Sequence, residues 1–166
     1  MERRTFLSRS LLLLGATAFT ASLAGCGFQL RGTQRQALGI DRLALVAPPS
    51  PLTDQVRREL DNAEVSITDD APLQLNLGNE NVETISLRGG DMISDEIELH
   101  MTVPFSVQRR SDNAYLVDQG RLESTTTYLV NNDDPLVRDE IQESSLAELR
   151  SDITRQLMAQ LRSLEP

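Results

Sequence analysis

The sequence predicts an α+β fold, a two-layer sandwich in which two helices pack on one face of a mixed four-stranded sheet. Three observations carry this. Ile97, Leu99, Met101, Val103, Phe105 and Val107 occupy six successive odd positions with Glu98, His100, Thr102 and Gln108 between them, the period of a strand with one buried face. Leu146, Leu149, Ile153, Leu157, Leu161 and Leu164 step by three and four, the period of a helix lying on a sheet. The apolar pattern from residue 41 onward runs strand, helix, short strand, three-stranded meander, helix, an order that buries every apolar face if both helices cover the same side.

Leu43, Leu45 and Val46 form the first strand, closed by Pro48-Pro49-Ser50-Pro51, which neither a helix interior nor a central strand accommodates. A helix follows, with Pro51 or Thr53 in its first turn or cap, Leu52, Val56, Leu60 and Ala63 on one face, and Asp61-Asn62 at its end. Val65 and Ile67 make a short edge segment. From Leu73 the period changes to two: Leu73, Leu75 and Leu77 alternate with polar residues, the pattern fades at Asn79-Glu80-Asn81, and Ile85 and Leu87 resume it in the same register. Arg88-Gly89-Gly90-Asp91 has the composition of a hairpin turn, because glycine supplies positive φ. In the returning strand Pro104 implies an edge position or a bulge. Ser111-Asp112-Asn113 reverses the chain again, Leu116, Leu122, Tyr128 and Val130 share one register of the next strand, and residues 131–135 form a loop and cap before the last helix.

Ahead of this domain the chain reads as an export and anchoring device. Arg3, Arg4 and Arg9 form a positive n-region, and residues 11–24 form an apolar stretch too short for a permanent membrane span. It closes on Leu23-Ala24-Gly25-Cys26, with small residues before the only cysteine of the chain. The expected organisation is a lipoprotein signal peptide over residues 1–25, a lipidated N-terminus and tether over 26–40, and a single domain over 41–166. Cys26 would carry diacylglycerol and palmitate and become the first residue of the mature protein. Arg3-Arg4-Thr5-Phe6-Leu7 fits either a twin-arginine signal or an ordinary Sec signal containing paired arginines. Gly27 is not the aspartate that holds many bacterial lipoproteins at the inner membrane, so outer-membrane sorting is expected.

The formal net charge is −9, and loss of residues 1–25, with three arginines and one glutamate, leaves about −11 on the mature chain. All sixteen basic residues are arginine, so every cation is a planar fork able to hold phosphate or carboxylate in two places. Low aromatic content and no Trp argue against a stacking platform for nucleic acid.

Cys26-Gly27-Phe28-Gln29-Leu30-Arg31-Gly32-Thr33 resembles the opening of the mature LPS-assembly lipoproteins, the LptE family, in which Cys26, Gly27, Phe28, Leu30, Arg31 and Gly32 stand at the motif positions. The resemblance implies a lipid-anchored outer-membrane protein on the periplasmic side. Such a protein sits as a plug in the lumen of a large β-barrel partner, LptD, helps that barrel assemble, and binds lipopolysaccharide for insertion into the outer leaflet. It also implies that Arg88, in the long hairpin, and Arg138, at the loop into the last helix, contact lipopolysaccharide. Arg88 lies next to two glycines, a favourable setting for a phosphate. Arg138 lies among Asp133, Asp134, Asp139 and Glu140, which weaken a field for anions. The other reading of the residues is a free periplasm-facing lipoprotein that binds an anionic ligand without a barrel.

Catalysis finds little support. His100 is the only histidine and falls on the polar register of its strand, Cys26 is committed to lipid, and Asp69-Asp70 and Asp133-Asp134 lie in loops where solvation or capping accounts for them. No glycine loop follows a strand and opens a helix, so no nucleotide site is expected. No cofactor or metal is expected beyond the covalent lipid.

Overall fold

A computed structural model describes residues 38–87, 94–131 and 135–164. The signal segment, Cys26 with its motif, and Arg88 lie outside them.

The strands are β1 (Arg42–Val46), β2 (Ser66–Ile67), β3 (Leu73–Leu77), β4 (Asn81–Leu87), β5 (Ser94–Arg109) and β6 (Tyr115–Asn131); the helices are α1 (Pro51–Asn62) and α2 (Pro135–Arg162). All six strands join one mixed sheet. β1 runs parallel to β2 on one side and to β3 on the other, whereas β5 is antiparallel to β3, β4 and β6. The count exceeds the expected four because the two-residue β2 completes an edge and the first meander strand is split into β3 and β4.

α1 has Pro51 in its first turn, as expected, and is capped by Ser50 rather than by Thr53. The Ser50 hydroxyl accepts from the Thr53 amide at 3.2 Å, Pro51 fills the first turn where no amide is needed, and the Thr53 hydroxyl donates to the Pro48 carbonyl at 2.7 Å. The helix stops at Asn62, where the Ala63 amide donates to the Glu59 carbonyl and Glu64 adopts a left-handed φ of 62°. Leu52, Val56 and Leu60 on α1 and Leu149, Ile153, Leu157 and Leu161 on α2 are buried with Leu43, Leu75, Leu99, Met101, Val103 and Val107 in a single core. Both helices therefore cover one face of the sheet, as expected, and no described helix lies on the opposite face.

The split between β3 and β4 changes which side chains face the core. Leu77 pairs with Phe105 and Asn81 with Thr102, so the outer strand uses one more residue than β5 to cover the same distance. That is a bulge. The Gly78 amide donates to the Pro104 carbonyl at 2.8 Å, and Pro104, which has no amide of its own, sits where β5 faces the gap. Pro104 thus marks a bulge and not an edge. An added residue reverses every side chain beyond it. Val82 and Thr84 pair with Met101 and Leu99 on the core face, and Ile85 and Leu87 pair with Glu98 and Glu96 on the uncovered face. The expectation that Ile85 and Leu87 continue the register of Leu73, Leu75 and Leu77 is overturned for this reason.

A second irregularity breaks the single register expected from Leu116 to Val130. Leu122, Tyr128 and Val130 do share the core face, but the pairing with β5 shifts between Phe105, Val107 and Gln108, and Val117 comes opposite Val107. Gln119, with φ 52°, takes up the shift. Gly120 then lies opposite Phe105 with the ring directly over its α-carbon, where any β-carbon would collide with ring atoms. The β5–β6 turn has the expected residues: Asp112 accepts from the Ala114 amide at 3.1 Å and Asn113 adopts φ 57°.

Candidate functional site

β5 carries the geometry of the candidate site, because its two ends define the two ends of the sheet. At the Ser94 end, Leu87 of β4 and Leu129 of β6 both pair with Glu96, and Ser94 pairs with Asn131. The chain leaves β4 one residue before Arg88 and leaves β6 four residues before Pro135, so the topology attaches both predicted arginine-bearing segments to the same end. Arg138 is described, on an exposed turn of α2.

Several side chains at this end are apolar and open to solvent. Ile85 and Leu87 are each about two-fifths exposed, Leu129 is 64% exposed, and Leu136 and Val137 on the first turn of α2 are 80% and 48% exposed. Ile85, Leu87 and Leu129 share the uncovered face. Single exposed apolar residues, such as Val46, Val82 and Tyr115 elsewhere on the sheet, are ordinary, but several gathered at one end point to contact with another molecule. Sequence reasoning missed them because periodicity placed Ile85 and Leu87 in the core. The signal that marks them is the pairing of the Asn79-Glu80-Asn81 break with Pro104 on the facing strand.

The rest of the uncovered face is polar and acidic: Glu96 stands between Leu87 and Leu129, Glu98 lies beside Ile85, and Glu83 and Glu123 follow with His100, Arg121, Thr102, Thr125 and Thr127. His100 and Thr125 face each other across β5 and β6 with Nδ1 and Oγ1 3.4 Å apart, which gives the histidine a hydrogen-bonding partner. Among the described residues no three His, Cys, Asp or Glu side chains converge as metal ligands, and no helix is long and apolar enough to cross a membrane.

A third group, Glu80 with Arg150, is structural. Arg150 Nε donates to Glu80 Oε2 at 2.8 Å, and Glu80 Oε1 accepts from the Leu52 amide at 3.2 Å. The carboxylate at the bulge therefore ties the start of α1 to the middle of α2. No local pattern announces a contact between residues 70 positions apart.

Among the described residues one carboxylate is clearly perturbed, at the other end of the sheet. Asp70 is held below the ordinary carboxylate range, first by the Thr68 hydroxyl donating at 2.6 Å and further by the Arg42 guanidinium.

Known proteins share this fold. Residues 40–161 match the LptE, lipopolysaccharide-assembly, family. The LPS-assembly lipoprotein LptE of Yersinia enterocolitica is 30% identical over 161 residues, 91% of this chain and 74% of that one. Its namesake from Yersinia pestis is 29% identical over 159 residues, 90% and 73% of the two chains. Among solved structures, the rare lipoprotein B of Shewanella oneidensis superposes with a TM-score of 0.59 at 26% identity, over 72% of this chain and 94% of that one. Lipoprotein B of Nitrosomonas europaea reaches 0.61 over 83% and 92% at 15% identity, a likeness of fold. With the family matched across β1 to α2 and the fold shared with lipoproteins, the chain belongs to the LptE family of lipopolysaccharide-assembly lipoproteins.

Proposed function

We propose that the protein is anchored to the outer membrane through lipid on Cys26, plugs the lumen of the barrel LptD and helps it assemble, and meets lipopolysaccharide at the Ser94 end of the sheet. The observation that carries the last part is that exposed Ile85, Leu87 and Leu129 lie together at the strand ends that lead on to Arg88 and to α2, whose first turns carry exposed Leu136 and Arg138. Acyl chains need apolar contact and phosphates need cations, and lipopolysaccharide presents both. Its role is binding and assembly rather than turnover.

The plug reading rests on the polar exterior. A sheet face lined by glutamates and threonines suits the polar interior of a large barrel, and its acidity calls for basic residues on the facing wall. An anchored domain on a tether also meets its barrel at a high effective concentration, which removes the need to capture ligand from bulk against its own net negative charge.

The test is a mild-detergent pull-down of the tagged, lipidated protein from outer membranes. One large β-barrel in equal amount supports the plug. Recovery of the protein alone, under conditions that keep other barrel complexes intact, would favour a free lipoprotein binding an anionic ligand. For the ligand, Arg88→Glu and Arg138→Glu should each weaken binding of purified lipopolysaccharide more than Arg110→Glu at the opposite end. Equal effects of the three would sink that assignment.

A further inference from the structure

The opposite end of the sheet holds a cleft of about 390 Å³ that the proposed function does not use, lined by Gly39, Ile40, Arg42, Leu73, Arg109 and, at its mouth, Asp41. Its floor is apolar: Ile40 and Leu73 belong to the core, and Pro72 and Ser111 close the sides. One wall is fixed, because the Arg110 amide donates to the Pro72 carbonyl at 2.9 Å and the Arg110 guanidinium donates to the Asp69 carbonyl. Two arginine forks stand at the rim. Arg42 lies 3.6 Å from Asp70 and Arg109 lies 3.4 Å from Asp112, with all four side chains at least two-fifths exposed.

Each of the two lining arginines has an aspartate beside it and Asp41 joins the lining, and this mixture of signs selects the ligand. Long, exposed ion pairs of this kind are worth about 0–1 kcal/mol, so a phosphate that engages an arginine fork in two places can displace the aspartate. Asp41, Asp70 and Asp112 nevertheless remain within the same small region, and three carboxylates repel a purely anionic ligand while offering acceptors to an ammonium. A head carrying both a phosphate and an ammonium meets both sets, and the apolar floor receives the glycerol and the first methylenes. We propose that this cleft binds the phosphoethanolamine head of a membrane phospholipid.

Its position agrees. Gly39 lies thirteen residues after Cys26, a contour of at most about 45 Å, so an anchor at Cys26 keeps the cleft within reach of a bilayer surface. The sixteen residues of β5 separate it from the apolar end by about 50 Å, so it is not part of the lipopolysaccharide contact proposed above. It also needs no barrel.

The test uses the full lipidated chain in detergent, titrated calorimetrically with dihexanoylphosphatidylethanolamine. Saturable one-to-one binding is expected, weakened about tenfold or more by Arg42→Ala and by Arg109→Ala. A β-carbon on Gly39 would meet nothing within 4 Å, so Gly39→Leu should fold normally, with an unchanged melting temperature, and abolish binding by filling the cleft. Dihexanoylphosphatidylglycerol, which lacks the ammonium, and O-phosphoethanolamine, which lacks the chains, should both bind more weakly. Non-saturable binding, or a Gly39→Leu protein that binds like the parent, would overturn the site. Tighter binding of the glycerol lipid would overturn the zwitterionic assignment, and tighter binding of the chain-free head would overturn the phospholipid one. A failed pull-down of the barrel would bear on neither.

Discussion

Glu80 and Arg150 form a shielded ion pair at 2.8 Å that joins three separate parts of the fold, with side-chain exposures of only 12% and 14%. Glu80 lies in the bulge between β3 and β4, its second oxygen accepts from the first turn of α1, and Arg150 also reaches Glu143 at 3.5 Å along α2. The bulge and the pair serve each other. The extra residue that turns Ile85 and Leu87 outward also sets Glu80 beneath the helices, where it satisfies an amide that a helix start would otherwise leave without a partner.

Removing one member leaves the other charge shielded and uncompensated. Glu80→Ala and Arg150→Ala should each lower stability by about 2–4 kcal/mol, and the double variant by clearly less than their sum. Urea denaturation of the single and double variants measures this. Single variants within about 0.5 kcal/mol of the parent would show that the pair is incidental.

Gly120 supports a different kind of prediction. With the Phe105 ring over its α-carbon, Gly120→Ala must displace an aromatic ring in a packed core, at a cost of about 1–3 kcal/mol. Phe105→Leu in the same protein should recover part of the loss by making room. Additive losses in the double variant, measured by thermal or urea melts, would contradict the contact.

The parts of this fold that were legible in the sequence are those governed by an uninterrupted period. The stripe from Leu149 to Leu161 and the alternation from Leu99 to Val107 are each buried as their spacing implies. The start of α1 was read to within a residue, since Pro51 in a first turn is local chemistry. Ile85 and Leu87 were not legible, because one inserted residue leaves the odd-numbered spacing intact while exchanging the faces it refers to. Glu80 and Arg150 were hidden for a different reason: their meeting depends on where α2 crosses the sheet. Of the candidate site, the sequence offers the arginines, and only the pairing register shows that Ile85, Leu87 and Leu129 share one exposed face.

Asp70 supplies a pH prediction. Its pKa is depressed in the folded state, so the stability it contributes is complete above the ordinary carboxylate value and is lost as pH falls through the folded value. Thr68→Val removes the largest cause and should raise the Asp70 pKa toward ordinary, with a smaller rise for Arg42→Ala. Carboxyl NMR titration reads both shifts directly. An Asp70 that already titrates at the ordinary value in the parent protein would refute the role of the hydroxyl.

Leu129 gives the sharpest separation between stability and binding. It is 64% exposed on the uncovered face, opposite Glu96 and in line with Leu87, so a polar side chain there costs little burial. Leu129→Asn should change the unfolding free energy by no more than about 0.5 kcal/mol. If acyl chains lie along Ile85, Leu87 and Leu129, the same substitution removes apolar contact with the ligand and should weaken lipopolysaccharide binding severalfold, a loss of about 1 kcal/mol. Thr102→Asn, on the same face about 20 Å down the sheet and away from the apolar end, is the matching control and should leave binding unchanged. Asparagine adds no charge, so a loss seen only at Leu129 reports apolar contact and not repulsion of phosphate. A loss of equal size from both variants would locate binding along the whole face, and no loss from either would move it away from the sheet.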